Sequence, residues 1–156
     1  MQGSSEAVRS PDAETGSVDL ALEIAADPEQ VRTARLFAGA TARHFGLDEE
    51  VVEDLKVAIS EAVTNAIRSH AAAGVDAPIR VTATAGVSSI RFDVIDRGAS
   101  MVLSTPAGEA DYTPPMGIGE STLSMVVISA LFPSVEIAQG SDGGATVSIV
   151  IDRPPQ

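Results

Sequence analysis

A glutamate and an asparagine stand four residues apart in the run Ile59-Ser60-Glu61-Ala62-Val63-Thr64-Asn65-Ala66. On a helix that spacing puts both side chains on one face, a turn apart. An asparagine carbonyl oxygen is a hard ligand suited to Mg²⁺, which otherwise keeps waters and phosphate oxygens. A glutamate one turn away can orient a water or accept a hydroxyl proton. Taken alone, Glu61 and Asn65 also fit a surface acid beside a locally bonded amide. A second candidate is Asp96-Arg97-Gly98, which ends the β-rich run Ile90-Arg91-Phe92-Asp93-Val94-Ile95. A strand-end carboxylate can accept from an exocyclic amine, and Gly98 would let a flat ring approach the backbone. The plain alternative is a turn aspartate. Third comes Gly117-Ile118-Gly119, which leads into a helix. Free N–H groups and the helix dipole make such a start a phosphate site. No G-K-[ST] follows, so this is not a Walker loop, and no strand immediately precedes it, so it is not a dinucleotide fingerprint. Fourth is Gly143-Gly144-Ala145-Thr146 at the opening of the last strand. There Thr146 either brings its hydroxyl to a ligand phosphate or bridging water, or is simply a β-branched strand residue.

These residues need elements to position them. Residues 17–25 alternate, with Val18, Leu20, Leu22 and Ile24 on one face, as in a half-buried strand. Asp27-Pro28 opens a helix by the N-cap and first-position rules, and Gly46 closes it after Phe45. Val31, Ala34, Leu36, Ala38 and Phe45 are its expected apolar side. Asp48 is the expected cap of a second helix running to about Ala72, with Glu49, Glu50 and Glu53 at its positive end. Leu55, Ile59, Ala62, Val63 and Ala66 form its core stripe, and Glu61 and Asn65 lie at the stripe's edge. Residues 79–85 and 90–96 read as a hairpin, and residues 135–138 and 145–151 as another closed by Gly-rich sequence. Between them, residues 97–116 lack periodicity and contain three prolines, a length that in a compact domain points to a functional loop. The order β-α-α-β-β-loop-α-β-β predicts a two-layer α+β sandwich, with helices on one face of a mixed, mostly antiparallel sheet.

The chain has 156 residues, enough for one domain that buries roughly 70% of its extended surface. Residues 1–16 read as a disordered tail, 17–152 as the folded domain and 153–156 as a short C-terminal tail. No stretch of about 18 apolar residues occurs, so no membrane helix is expected. The N-terminus lacks an apolar signal region, and a cytoplasmic protein is the expectation. The net charge of −12 opposes nucleic-acid backbones and steers basic protein partners toward the surface. With no cysteine, disulfides and thiolate metal sites are excluded, and with only two histidines a zinc site is not expected. His44 and His70 both stand near helix C-termini, where a surface cation is favoured.

A helical E-x-x-x-N, a strand-end D-x-G, a long loop, a G-x-G before a helix and a final G-x-T strand, in this order, resemble the N, G1, G2 and G3 boxes of the Bergerat-fold, histidine-kinase-like ATPases. The stretch 59–66 looks closest to their anti-sigma-factor serine-protein kinase branch. The resemblance covers about residues 17–151. It implies that Asn65 holds Mg²⁺, that Glu61 is the catalytic base, and that Asp96 accepts from the adenine amine while Gly98 admits the ring. It implies Gly117 and Gly119 at the phosphates under a lid of residues 99–116, with Thr146 linked to Asp96 through water. The implied reaction moves the γ-phosphate of ATP to a serine of an anti-anti-sigma partner of the STAS type. A sigma factor would be the second partner, and a homodimer the usual assembly. From Gly98 to Asp152 there is no Lys or Arg, while Glu109, Asp111, Glu120, Glu136, Asp142 and Asp152 are present. That acidity keeps open a second reading: a binding module that sequesters its partner with weak or no ATP turnover.

Overall fold

The computed structural model describes residues 18–98, 118–140 and 143–155. In chain order these form β1 (Val18–Ile24), a 3-10 turn (Pro28–Gln30), α1 (Val31–His44), α2 (Glu49–Ala73), β2 (Ile79–Ala85), β3 (Ser89–Asp96), α3 (Ile118–Leu131), β4 (Val135–Gln139) and β5 (Ala145–Asp152). The expected tail of residues 1–16, the lid of residues 99–116 and Gly117 lie outside the described residues.

The five strands make one sheet in the order β1-β2-β3-β5-β4, and every neighbouring pair is antiparallel. The expectation of a mixed sheet is corrected here. Helix α3 does carry the chain from β3 to a strand of the same direction, β4, but β5 inserts between the two. Among the described residues no parallel pair is left in contact.

Local sequence explains where the helices begin and end. The Asp27 carboxylate accepts from the Glu29 N–H at 3.0 Å, and Pro28 follows at the first turn position. Along α1, Ala34, Ala38, Thr41 and Ala42 turn inward at helical spacing. Leu36 falls off that stripe and is 64% exposed, so it leaves the expected core. Gly46 takes φ +81° after the helix, a conformation costly for residues with a Cβ. Asp48 occupies the N-cap position of α2 but its side chain makes no cap hydrogen bond. Gly74 ends α2 at φ +68°, and the Val75 N–H donates to the His70 carbonyl at 2.9 Å.

Helix α2 is the spine of the helical layer, in contact with α1, α3 and β3. Its buried stripe of Val52, Leu55, Ile59, Ala62, Val63 and Ala66 joins Val81, Ile90, Phe92 and Ile149 from the sheet in one core. Each large side chain fully removed from water there stabilises the fold by about 1.5–3 kcal/mol. Among the described residues the opposite sheet face carries polar contacts and no helix. The Arg91 guanidinium donates to Asp93 and Ser148, and Ser148 donates to Asp93 across the β3–β5 pair. Arg153, expected in a loose tail, donates to the Gly86 carbonyl at 2.8 Å and stands over the Phe45 ring at 5.6 Å. No helix among the described residues is long and apolar enough to cross a membrane.

Candidate functional site

Glu61, Asn65 and Ser69 follow one another at four-residue intervals along α2, on one side of the helix. At its last turn the helix meets the tip of β3. A Cβ added to Gly98 would stand 2.6 Å from the Ser69 carbonyl carbon and 2.7 Å from its oxygen. Only a residue without a side chain lets the strand end lie that close to the helix. Gly98 was expected to admit a ligand ring; the face of its Cα where a side chain would stand is instead taken by α2. With a rise of about 1.5 Å per residue, Asn65 sits about 6 Å, and Glu61 about 12 Å, along the helix from this contact. The acid, the amide and the turn that seats Gly98 therefore follow along the helix in the order Glu61, Asn65, Ser69, and Asp96 stands two residues before Gly98 at the strand tip.

Asn65 Oδ1 is buried and has no hydrogen-bond partner among the described residues. A buried amide oxygen without a donor is costly, and a hard cation is the partner its chemistry suits. Among the described residues no three His, Asp or Glu side chains converge on one point. A Mg²⁺ held by Asn65 would thus complete its shell with phosphate oxygens and waters. Glu61 is half-buried and accepts from the Ser124 hydroxyl of α3 at 2.7 Å. Ser124 is itself buried, so this bond ties the acid on α2 to the helix that follows the G-x-G motif.

Asp96 faces the helical layer, since it continues the inward alternation of Ile90, Phe92 and Val94. Burial lifts its carboxyl above the ordinary aspartate range. The Gly98 N–H, which donates to Oδ1 at 2.9 Å, and the Ala145 N–H act against that rise. A carboxylate offers about four lone-pair sites, so accepting two backbone N–H groups leaves capacity for an incoming amine.

Thr146 does not join this group. Asp96 pairs with Ala145, and Thr146 pairs with Ile95 on the other face of the sheet. Successive strand residues point to opposite sides, so the residue that shares the face of Asp96 is Ala145, one position earlier. The expected link from Thr146 to Asp96 is corrected on that ground. Gly119 lies in the first turn of α3, and its neighbour Gly117 is outside the described residues.

Two residues at the site, His70 and Ser124, were missing from the expected site, and a third, Gly144, was expected there in a different role. His70, expected at the surface, is 1% exposed, and its Nε2 accepts the Arg97 N–H at 2.8 Å. The signal was its spacing: seven residues after Val63 and four after Ala66, it continues the core stripe. Ser124 carried no signal, because it is one of two serines, with Ser129, in the apolar run 123–131, where a small polar residue reads as filler. Gly144 was placed in a turn, yet a Cβ there would meet the Asp96 carbonyl oxygen and stand 2.9 Å from the Arg97 Cα. The β4–β5 hairpin and α2 thus press on the same strand tip.

The family model described as a histidine kinase-like ATPase domain matches residues 24–151. Serine-protein kinase RsbW of Listeria monocytogenes is 32% identical over 126 residues, covering 76% of this chain and 78% of its own. Serine-protein kinase RsbW of Bacillus velezensis is 31% identical over 140 residues, covering 85% of each. The crystal structure of the RsbU and RsbW domains of Rv1364c from Mycobacterium tuberculosis shares the fold, with a TM-score of 0.61 at 24% identity. That match covers 89% of this chain and 34% of the other, so the present chain spans about a third of that protein.

Proposed function

The chain belongs to the histidine kinase-like ATPase domain family, and from that premise we propose that it binds Mg-ATP and phosphorylates a serine of a protein partner. The observation that carries this reading is the buried, unpartnered Oδ1 of Asn65, one helical turn from Glu61 and one from the strand tip that bears Asp96. Asp96 accepts from the adenine amine, Asn65 would hold the magnesium, and Glu61 takes the proton of the serine hydroxyl. Bound with the nucleotide, Mg²⁺ supplies neutralisation of phosphate charge, the main demand of phosphoryl transfer. The serine oxygen forms the new bond to the γ-phosphorus, and the bond from that phosphorus to ADP breaks. Similarity to the serine-protein kinases named above supports this class of reaction.

The partners proposed are an anti-anti-sigma protein as phosphoacceptor and a sigma factor held in its absence, which makes the chain an anti-sigma factor acting in the cytoplasm. Pairing into a homodimer would use β1, which ends the sheet, and the exposed Leu36 of α1. The test is a phosphotransfer assay with γ-labelled ATP, Mg²⁺ and the partner. Glu61→Ala is expected to abolish transfer and keep nucleotide binding. Equal transfer by both forms would remove Glu61 as the base.

One observation favours a second reading, a module that sequesters its partner without turnover: residues 98–152 contain no cation to oppose a triphosphate. Calorimetry with Mg-ATP separates the two. Binding that is lost in Asn65→Ala supports the kinase, and absence of heat supports the module.

A further inference from the structure

We infer that His70 is a positioning residue that holds the strand-tip turn, and with it the Asp96 carboxylate, in the orientation that distinguishes an amino-purine from an oxo-purine. The inference rests on the reading of Asp96 as the adenine acceptor and goes beyond it to the group that aims it. Arg97 and Gly98 supply the two backbone N–H groups that follow Asp96. The first donates to His70 Nε2 at 2.8 Å and the second to Asp96 Oδ1 at 2.9 Å. Both orienting bonds of the turn are therefore accounted for, one by the aspartate itself and one by His70.

A ring nitrogen that accepts an N–H carries no proton. His70 must then be neutral, with its hydrogen on Nδ1. That nitrogen is buried and has no partner among the described residues. An unmet donor buried at 1% exposure is unfavourable, and a leucine would fill much the same space without it. The leucine, however, would leave the Arg97 N–H without its acceptor. The peptide between Asp96 and Arg97 would then lose the bond that His70 gives it, beside the packing of Gly144 on one side and, through Gly98, of Ser69 on the other. Rotation of that peptide shifts the Gly98 N–H that donates to Asp96 Oδ1, and the carboxylate turns with it. Position 70 thus acts on the ligand through Asp96, and its effect falls on the base and not on the phosphates.

The test compares the full chain with His70→Leu and His70→Gln, each checked for its far-UV signature. Calorimetry in Mg²⁺ reads affinity for ATP and for inosine triphosphate, whose ring has an oxo group in place of the amine. The wild type is expected to prefer ATP. His70→Leu should bind ATP about ten-fold more weakly, the worth of one neutral hydrogen bond, and lose most of that preference. His70→Gln should keep it, because the glutamine oxygen reaches the place of Nε2. Nitrogen NMR of labelled histidine should show His70 as the Nδ1–H tautomer without any nucleotide. A His70→Leu protein with the wild-type preference would overturn the inference alone, as would an Nε2–H tautomer. A wild type indifferent between the two nucleotides would overturn the adenine reading and the inference with it. If His70→Leu fails to fold, the tautomer decides.

Discussion

Gly98→Ala is the sharpest probe of how the strand tip meets α2. The new Cβ would stand 2.6 Å from the Ser69 carbonyl carbon, where ordinary contact begins at 3.4 Å. Both atoms it meets in the Ser69 peptide group, carbon and oxygen, belong to helix backbone and cannot rotate away. The strand tip must therefore retreat by roughly 0.8 Å, the kind of overpacking that costs about 1–3 kcal/mol. For a domain of this size we expect a loss of about 2 kcal/mol and a fall in Tm of about 5 °C. The same retreat carries Asp96 away from Asn65. Misplacements near 1 Å at reacting groups cost up to about a hundred-fold, so Mg-ATP affinity should fall at least ten-fold in calorimetry. Ser69→Ala supplies the control, because it removes the hydroxyl and leaves the carbonyl in place. Because the new Cβ would also meet the Ser69 hydroxyl, Ser69→Ala should recover only part of the loss in a double-mutant cycle read by urea denaturation. Full restoration of stability in the double variant, or a Gly98→Ala variant within about 0.5 kcal/mol of wild type, would refute the backbone apposition.

Three more expectations follow from the same contacts. Asp96→Asn should keep the turn, since its amide oxygen can still accept the Gly98 N–H. Because burial raises the Asp96 carboxyl, the folded state holds that proton more tightly than the unfolded chain. The wild type should then lose stability relative to Asp96→Asn as pH rises through and above the aspartate range, as urea midpoints from acid to neutral pH would show. Ser124→Ala removes the hydroxyl bonded to Glu61 at 2.7 Å. We expect about 1 kcal/mol of destabilisation and slower phosphotransfer with unchanged nucleotide affinity, measured in parallel. Phe92→Ala, at a fully buried position under α2, should cost about 3–5 kcal/mol in chemical denaturation.

How much of this was legible beforehand depended on the range of the information each residue needs. The helices and hairpins around Asp27-Pro28, Gly46 and Gly74 follow from neighbours a few positions away, and their ends stand within a residue or two of expectation, except that Pro28–Gln30 form a 3-10 turn and α1 begins at Val31. Glu61 and Asn65 share a face by helical spacing alone. Thr146 failed for a different reason. Which face it occupies depends on the register of β5 against β3, and a one-residue offset inverts the face. Sheet direction was misjudged because nothing in the run 118–139 says that β5 will wedge between β3 and β4. Ser124 became visible only once α3 lay against α2, 63 positions from Glu61. His70 was within reach of periodicity, but its place in the last turn invited the reading of a surface cation.

A single unbroken rod, α2, carries the buried apolar stripe, the acid, the amide, the seat for Gly98 and the imidazole that meets Arg97. The scaffold and the chemistry cannot be loosened separately. Heating should therefore extinguish ligand capture and compactness in one step, with no intermediate range in which an intact but incompetent protein accumulates. Any drift toward a new substrate has to be accommodated by the segments that surround this rod, because changing the rod itself would unmake the domain.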